Sequence, residues 1–152
     1  MAGKIGFLDT ERAISTTKEG QRQMQVLDAW ANERADEIER LRERPAEIAR
    51  QIDAQRSIAS DEVIQGLEEE LLQARRDLED ATRKLQRDLE AKQKEMFAEV
   101  ATRVRDLAGE YAKANGFDAI LMFETTPLVY VDDAVIITDA VVRLYDQRYP
   151  VN

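Results

Sequence analysis

The side chains able to do chemistry in this chain are carboxylates and arginines. Its 152 residues include 31 Asp and Glu and 22 Lys and Arg, with neither histidine nor cysteine. Without histidine the commonest general base and metal ligand is gone, and without cysteine there are no thiolate nucleophiles, thiolate metal sites or disulfides. A catalytic centre would have to run on carboxylates alone, with no glycine-rich phosphate loop and no evident pocket to shift their pKa values, so an enzyme is the least supported class. Asp132 and Asp133 could attract a divalent cation, but no ligand set or glycine-bearing loop adjoins them, and a turn is the better reading. No cofactor and no metal is expected.

The arginines are unevenly placed. Arg40, Arg42, Arg44, Arg50 and Arg56 face only Glu43, Glu47 and Asp53 in the same stretch, which is locally positive by two in a chain of net charge −9. Read functionally, they would grip client carboxylates or make weak contact with anionic lipid headgroups; read structurally, they form a solvated face paired across neighbouring helices. Ile48, Ile52, Ile58 and Trp30 are candidate apolar client contacts, with helix packing the alternative for each. Pro45, which lacks an N–H, and Gly66 are candidate hinge points. The acidic balance argues against nucleic acid as a partner, because a phosphate backbone would be repelled over most of the surface.

The elements that must position these residues are mostly helical. With 35% charged and 6% aromatic residues, any core must be small or elongated. Heptads counted from Met24 place Met24, Ala31, Ile38, Pro45 and Ile52 at one core position and Leu27, Arg34, Leu41, Ile48 and Gln55 at the other. A second stretch repeats every eleven residues, through Leu67, Leu78, Leu89, Val100 and Tyr111 and through Ala74, Leu85, Met96 and Leu107, which predicts a nearly straight coil. Asp9 and Thr10 can cap the first helix, Ser60 the second, and Gly116 suits the left-handed end of the second. The two helices therefore fold back as an antiparallel hairpin over residues 10–115, with its tip at about 40–66. Arms of about 70–80 Å follow from 1.5 Å per residue.

Strand signals occur only at the two ends: Lys4 to Asp9, Asp118 to Glu124 and Leu128 to Asp132. Residues 1–9 and 116–152 are accordingly expected to form one body, a platform of about three strands covered on one side by a short helix capped by Thr138, with Val141, Val142 and Tyr145 facing inward. Ile5, Phe7, Leu8, Ile120, Leu121, Met122, Phe123, Leu128, Val129, Tyr130 and Val131 carry more apolar surface than one helix can cover. Self-association of the platforms is the economical solution, and three copies closing a ring would make a barrel of about nine strands. The fold class expected is α+β, a long helical hairpin on a small β platform.

The two ends, "KIGFLDTERAISTTKEGQ" and "ANGFDAILMFETTPLVYVDDAVIITDAVVRLYD", with a charged hairpin between them, resemble the Skp (OmpH-like) family of trimeric periplasmic chaperones. The pattern includes a first strand ending in Asp, a glycine about ten residues on (Gly20), and a closing segment in which the family's Asp-Ile-Thr stands here as Ile136-Ile137-Thr138. The resemblance implies a jellyfish-like homotrimer, a β-barrel body with three helical tentacles, that holds unfolded outer-membrane proteins without ATP. It implies a periplasmic location, with any signal removed and Met1 added; the sequence alone equally allows the cytoplasm. The family's Asp role would pass to Asp133 or Asp139. Better-known members are basic, whereas three copies of this chain at −9 each would carry −27. A coiled-coil adaptor or spacer binding a folded cell-envelope partner is the alternative function.

Overall fold

A computed structural model describes residues 3–152. The order of elements is β1 (Ile5–Leu8), α1 (Thr10–Thr16), α2 (Lys18–Gln55), α3 (Asp61–Ala114), β2 (Ala119–Met122) and α4 (Thr138–Arg148), with short 3-10 turns at Phe123–Thr125 and Asp133–Val135. The fold is α+β and mostly helical. By contact it divides into two compact units, one of the described residues up to Leu27 together with Gln93–Asn152, the other of Asp28–Lys92.

In the first unit β1 and β2 pair in parallel, Ile5 opposite Ala119 and Leu8 opposite Met122. The other edge of β1 is met by a single bridge from Phe7 to Ile136, where the Ile137 amide donates to the Phe7 carbonyl at 2.9 Å. The expected third strand is absent. Residues 128–132 form neither helix nor strand, because Phe123–Thr125 turns the chain off β2 and leaves that segment no backbone partner. The two terminal segments therefore do not make a hairpin.

Alternation decides the rest. Gly6 and Leu8 on β1, with Ile120 and Met122 on β2, are the more buried positions, whereas Ile5, Ala119 and Leu121 are exposed. Leu8 joins Val100, Val104, Leu107, Val141 and Tyr145 in the core of this unit, with Ile120 packed against it. One face of the sheet is thus covered by α3 and α4 of the same chain, and only the other is left uncovered.

The first helix is not continuous as expected. Asp9 caps α1, its side chain accepting from the Arg12 amide at 2.9 Å, but the helix stops at Thr17, whose ψ of 147° is extended. A second helix restarts at once. The buried Thr17 hydroxyl accepts from the Gly20 amide at 3.0 Å, and Asp146 of α4 accepts from the Lys18 amide at 2.9 Å, so two of the restarting amides are satisfied by side chains. The bend folds the Ile14 carbonyl onto Gly20, where a Cβ would lie 1.7 Å from that oxygen. Only glycine fits. Because the first arm is split in this way, α2 has 38 residues and a length of about 57 Å, short of the expected arm, while the 54-residue α3 reaches about 81 Å.

The remaining boundaries follow the local chemistry. Ser60 accepts from the Val63 amide at 3.3 Å at the start of α3, and Gly116 takes a φ of 73° just beyond its end. Asp132 accepts from the Ala134 amide at 2.8 Å, so the acidic pair builds a turn. Thr138 does not cap α4; its hydroxyl instead accepts from the Asp9 amide at 3.0 Å, joining the first turn of α4 to the end of β1. Asp139 pairs with Arg12, so of the two carboxylates expected to stand in at the closing segment this one ties α4 to α1.

The eleven-residue stripe of α3 is the inward side: every one of its nine members is buried or half-buried. The heptad positions of α2 behave likewise except Met24 and Leu41, which are exposed. Leu41 lines a shallow groove with Ile38, Leu85 and Ala81, and alanine is too small to fill it.

Substituting Gly20 by alanine should destabilise the first unit by about 3 kcal/mol or more, since the clash is with backbone. Gly66→Ala, with no atom within 4 Å of the new methyl, should instead stabilise α3 by about 0.5–1 kcal/mol. Thermal unfolding followed by circular dichroism checks both signs; equal behaviour of the two variants would refute the bend.

Candidate functional site

In the first unit the apolar candidates separate into two groups. Leu8, 2% exposed, belongs to the core of its own chain and is not an assembly residue, and Ile120 packs largely against that core. Ile5, Leu121, Val129 and Tyr130 are exposed, Val129 fully and Tyr130 at 78%, while Phe7 is half-buried with its ring 6.0 Å from that of Phe123. Met122, Leu128 and Val131 are also half-buried. Val129 stands at a bend in this irregular segment, and it and Tyr130 bury little against the rest of the chain.

The same unit holds a polar cluster that nothing in the sequence pattern signalled. Tyr145, with no exposed surface, donates its hydroxyl to Glu19, and Arg103 bridges Glu19 at 3.1 Å and Glu99 at 2.6 Å. The Arg103 guanidinium lies 4.3 Å from the Tyr149 ring, which is 5.0 Å from the Tyr145 ring. Burial, reinforced by the hydrogen bond to anionic Glu19, pushes the Tyr145 hydroxyl well above the ordinary tyrosine range, against a smaller opposing influence of Arg103. A phenol that resists ionisation is a fixed donor. The cluster therefore ties α4 to the bases of α2 and α3 and offers no base or nucleophile. Residues 126 and 84 positions from Glu19 meet here, beyond the reach of any spacing rule.

In the second unit Ile48 and Ile52, 3% and 4% exposed, pack with Ala74, Leu67 and Leu71. They hold α2 to α3 and are unavailable to a client. Ile58 stands in the turn between the helices at 82% exposure. Trp30 is half-buried, with the Arg34 guanidinium 4.1 Å and the Lys92 ammonium 5.9 Å from its ring, so cation–π contacts occupy it. Sequence reasoning missed Val63 and Leu72, exposed on α3 off the eleven-residue stripe; their departure from that period was the available signal.

Arg40, Arg42, Arg44, Arg50 and Arg56 are all exposed. Among the described residues only Arg42 of these five makes an ion pair, 3.6 Å from Glu39 on the same helix. The expected cross-hairpin pairing does not occur. Pro45 and Gly66 both lie within unbroken helix, so neither opens the backbone.

These features define an α+β protein of long helices and a small parallel sheet. The chain belongs to the outer membrane protein (OmpH-like) family, whose model matches residues 4–145. A crystal structure from Caulobacter crescentus CB15, described as an outer membrane chaperone (OmpH-like), superposes with a TM-score of 0.75 at 18% identity, covering 100% of this chain and 89% of that one. At that identity the likeness is one of fold. No curated protein matches the chain.

Tyr145→Phe should lower stability at neutral pH by about 1–2 kcal/mol by leaving Glu19 one donor short. The raised hydroxyl adds a pH signature. A group protonated in the folded state beyond its unfolded value contributes stability that is complete below about pH 10 and lost as pH rises further. Denaturant unfolding from pH 8 to 11 should show wild type falling above pH 10 more steeply than the phenylalanine variant; parallel curves would refute the cluster.

Proposed function

We propose that this protein is an ATP-independent holdase chaperone that binds unfolded outer-membrane proteins in the periplasm and keeps them from aggregating. The observation that carries the reading is the family match, which spans residues 4–145 and so takes in both strands and both long helices. The geometry is compatible with it: client binding of this kind needs many weak contacts and no catalytic constellation. The exposed Ile58, Val63 and Leu72 offer scattered apolar contacts in the second unit, and the five arginines offer charge-assisted ones to client carboxylates or, weakly, to anionic lipid headgroups.

The working form in this reading is a homotrimer whose chains complete one another's sheets into a barrel, with cavities bounded by helical hairpins. It is supported by the uncovered face of Ile5, Phe7 and Leu121 and by the exposed Val129 and Tyr130, too much apolar surface for a chain to leave in water. Bending of the continuous α2 at Pro45, where one backbone N–H is missing, and of α3 at Gly66 would let a cavity change volume. The charge of −9 per chain weakens any wholesale electrostatic capture of acidic clients, and leaves the local arginine stretch as the attractive element.

Mixed with a urea-unfolded outer-membrane β-barrel and diluted without nucleotide, the protein should suppress light scattering at stoichiometric amounts. Protection of no such client across a range of salt, with tight binding of one folded envelope protein, would establish an adaptor instead. Replacing Arg40, Arg44, Arg50 and Arg56 together by glutamine should weaken client binding several-fold at low salt and little at high salt, because exposed charge contacts are screened over about 10 Å at 0.1 M. Equal loss at both salts would assign those side chains another role.

A further inference from the structure

Within the first unit a groove of about 550 Å³ lies between the start of α2 and the chain that leaves α4. One wall is a stripe on α2 made of Glu19, Arg22, Gln23 and Val26, whose spacing of three and four residues puts all four on one face. Arg148 and residues 149–151 form the other wall, and Arg103 of α3 also lines the groove. That size suits a small ligand or the last residues of a peptide.

The charged groups here are unequally occupied. Glu19 receives the Tyr145 hydroxyl and the Arg103 guanidinium, and the other terminal nitrogen of Arg103 goes to Glu99, so these charges offset one another. Arg148 gives one terminal nitrogen to Glu110 at 2.7 Å and keeps the second. Arg22 is exposed and makes neither an ion pair nor a side-chain hydrogen bond among the described residues. Two arginines with donors to spare therefore flank this groove, in a chain of net charge −9. Apolar surface adjoins them. Val26 is 50% exposed, Pro150 is exposed and Val151 is half-buried. The Val151 amide has no acceptor among the described residues, which leaves one unspent backbone donor on the same wall.

Guanidinium forks, an open amide and an aliphatic wall in one groove are the parts that read the end of a peptide, with its free carboxylate, its backbone and an apolar last side chain. An internal Asp or Glu fits less well. Its carboxylate stands at the tip of its own side chain, so the residue brings nothing apolar to the aliphatic wall. We infer that this groove binds the C-terminal carboxylate of an unfolded client that ends in an apolar residue. Arg22 and Arg148 take the carboxylate, and Val26, Pro150 and Val151 take the last side chain. The inference rests on the holdase reading above and names the part of the client that the first unit holds.

Two N-terminally labelled peptides of one sequence ending in phenylalanine, one a free acid and one amidated, are titrated with the intact protein by fluorescence anisotropy. The acid should bind about fivefold or more tighter than the amide at low ionic strength, the advantage of a charge-assisted contact at an exposed site. Arg22→Gln, at an exposed position with no partner to lose, should erase most of that difference. Val26→Ser should weaken an acid ending in phenylalanine more than one ending in glycine. Nuclear magnetic resonance of isotope-labelled protein should show the Val151 amide moving with the acid and not with the amide. No binding of the acid, equal binding of acid and amide, or a preference that survives Arg22→Gln and Arg148→Gln together overturns the site. Inorganic phosphate displacing the acid as well as unlabelled peptide does would leave an anion site and overturn recognition of a chain end. Scattering by an unfolded outer-membrane β-barrel, followed with the same variants, reports the holdase reading separately. Aggregation still suppressed without any acid preference sinks the groove alone, whereas an acid preference without suppression sinks the holdase and leaves a peptide-binding groove.

Discussion

Strand β1 has four residues, and its backbone has to be satisfied on two edges. β2 supplies one and Ile136–Ile137 the other, both more than a hundred residues along the chain. An unpaired buried backbone group costs about as much as a lost hydrogen bond, so the start of the chain has no stable place except between these later segments. The long helices are the means by which the ends return. Ile48, Ile52 and Ala74 hold α2 to α3 in the second unit, and Val100, Val104 and Leu107 carry α3 into the core of the first.

Polar chemistry in this protein is spent on holding elements together. Thr17, Gly20 and Asp146 turn a helix break into a satisfied joint. Glu19, Arg103 and Tyr145 fasten α4 to the bases of both long helices, and Thr138 binds the end of β1. A half-buried carboxylate that already receives a phenol and a guanidinium has little left to offer a substrate. The surfaces are different in kind: the exposed arginines near the turn between the helices have few partners, and the apolar residues at positions 121, 129 and 130 have little cover. The chaperone function proposed above draws on both sets of groups.

Much of the architecture was legible because it is periodic or local. The eleven-residue stripe of α3 marked its inward side, missing only buried residues beside it such as Val104, Ala108 and Ala112, and the cap at Asp9, the turn before Ser60 and the left-handed Gly116 depend on neighbours a few residues away. Reading failed where the deciding partner is remote. Leu8 and Leu121 look alike in sequence, yet one faces α3 and α4 and the other faces out, a matter of strand register. The apolar run at 128–131 has the composition of a strand, but composition cannot provide the second backbone that makes one.

Residue types and spacing by themselves determined that the chain would be mainly charged helix with small apolar ends, lacking the commonest catalytic and metal-binding side chains. Those properties follow from side-chain chemistry and from repeats of 3.5 to 3.7 residues, which act within a few turns. Tertiary structure alone decided that the first helix breaks at Thr17, that Glu19, Arg103 and Tyr145 converge, and that Ile48 and Ile52 are sealed inside while the edge of β2 stays open. Apart from the local contact of Thr17 with Gly20, each of those outcomes is a contact between residues separated by about twenty to more than a hundred positions, or the lack of one, and only the folded backbone sets such distances.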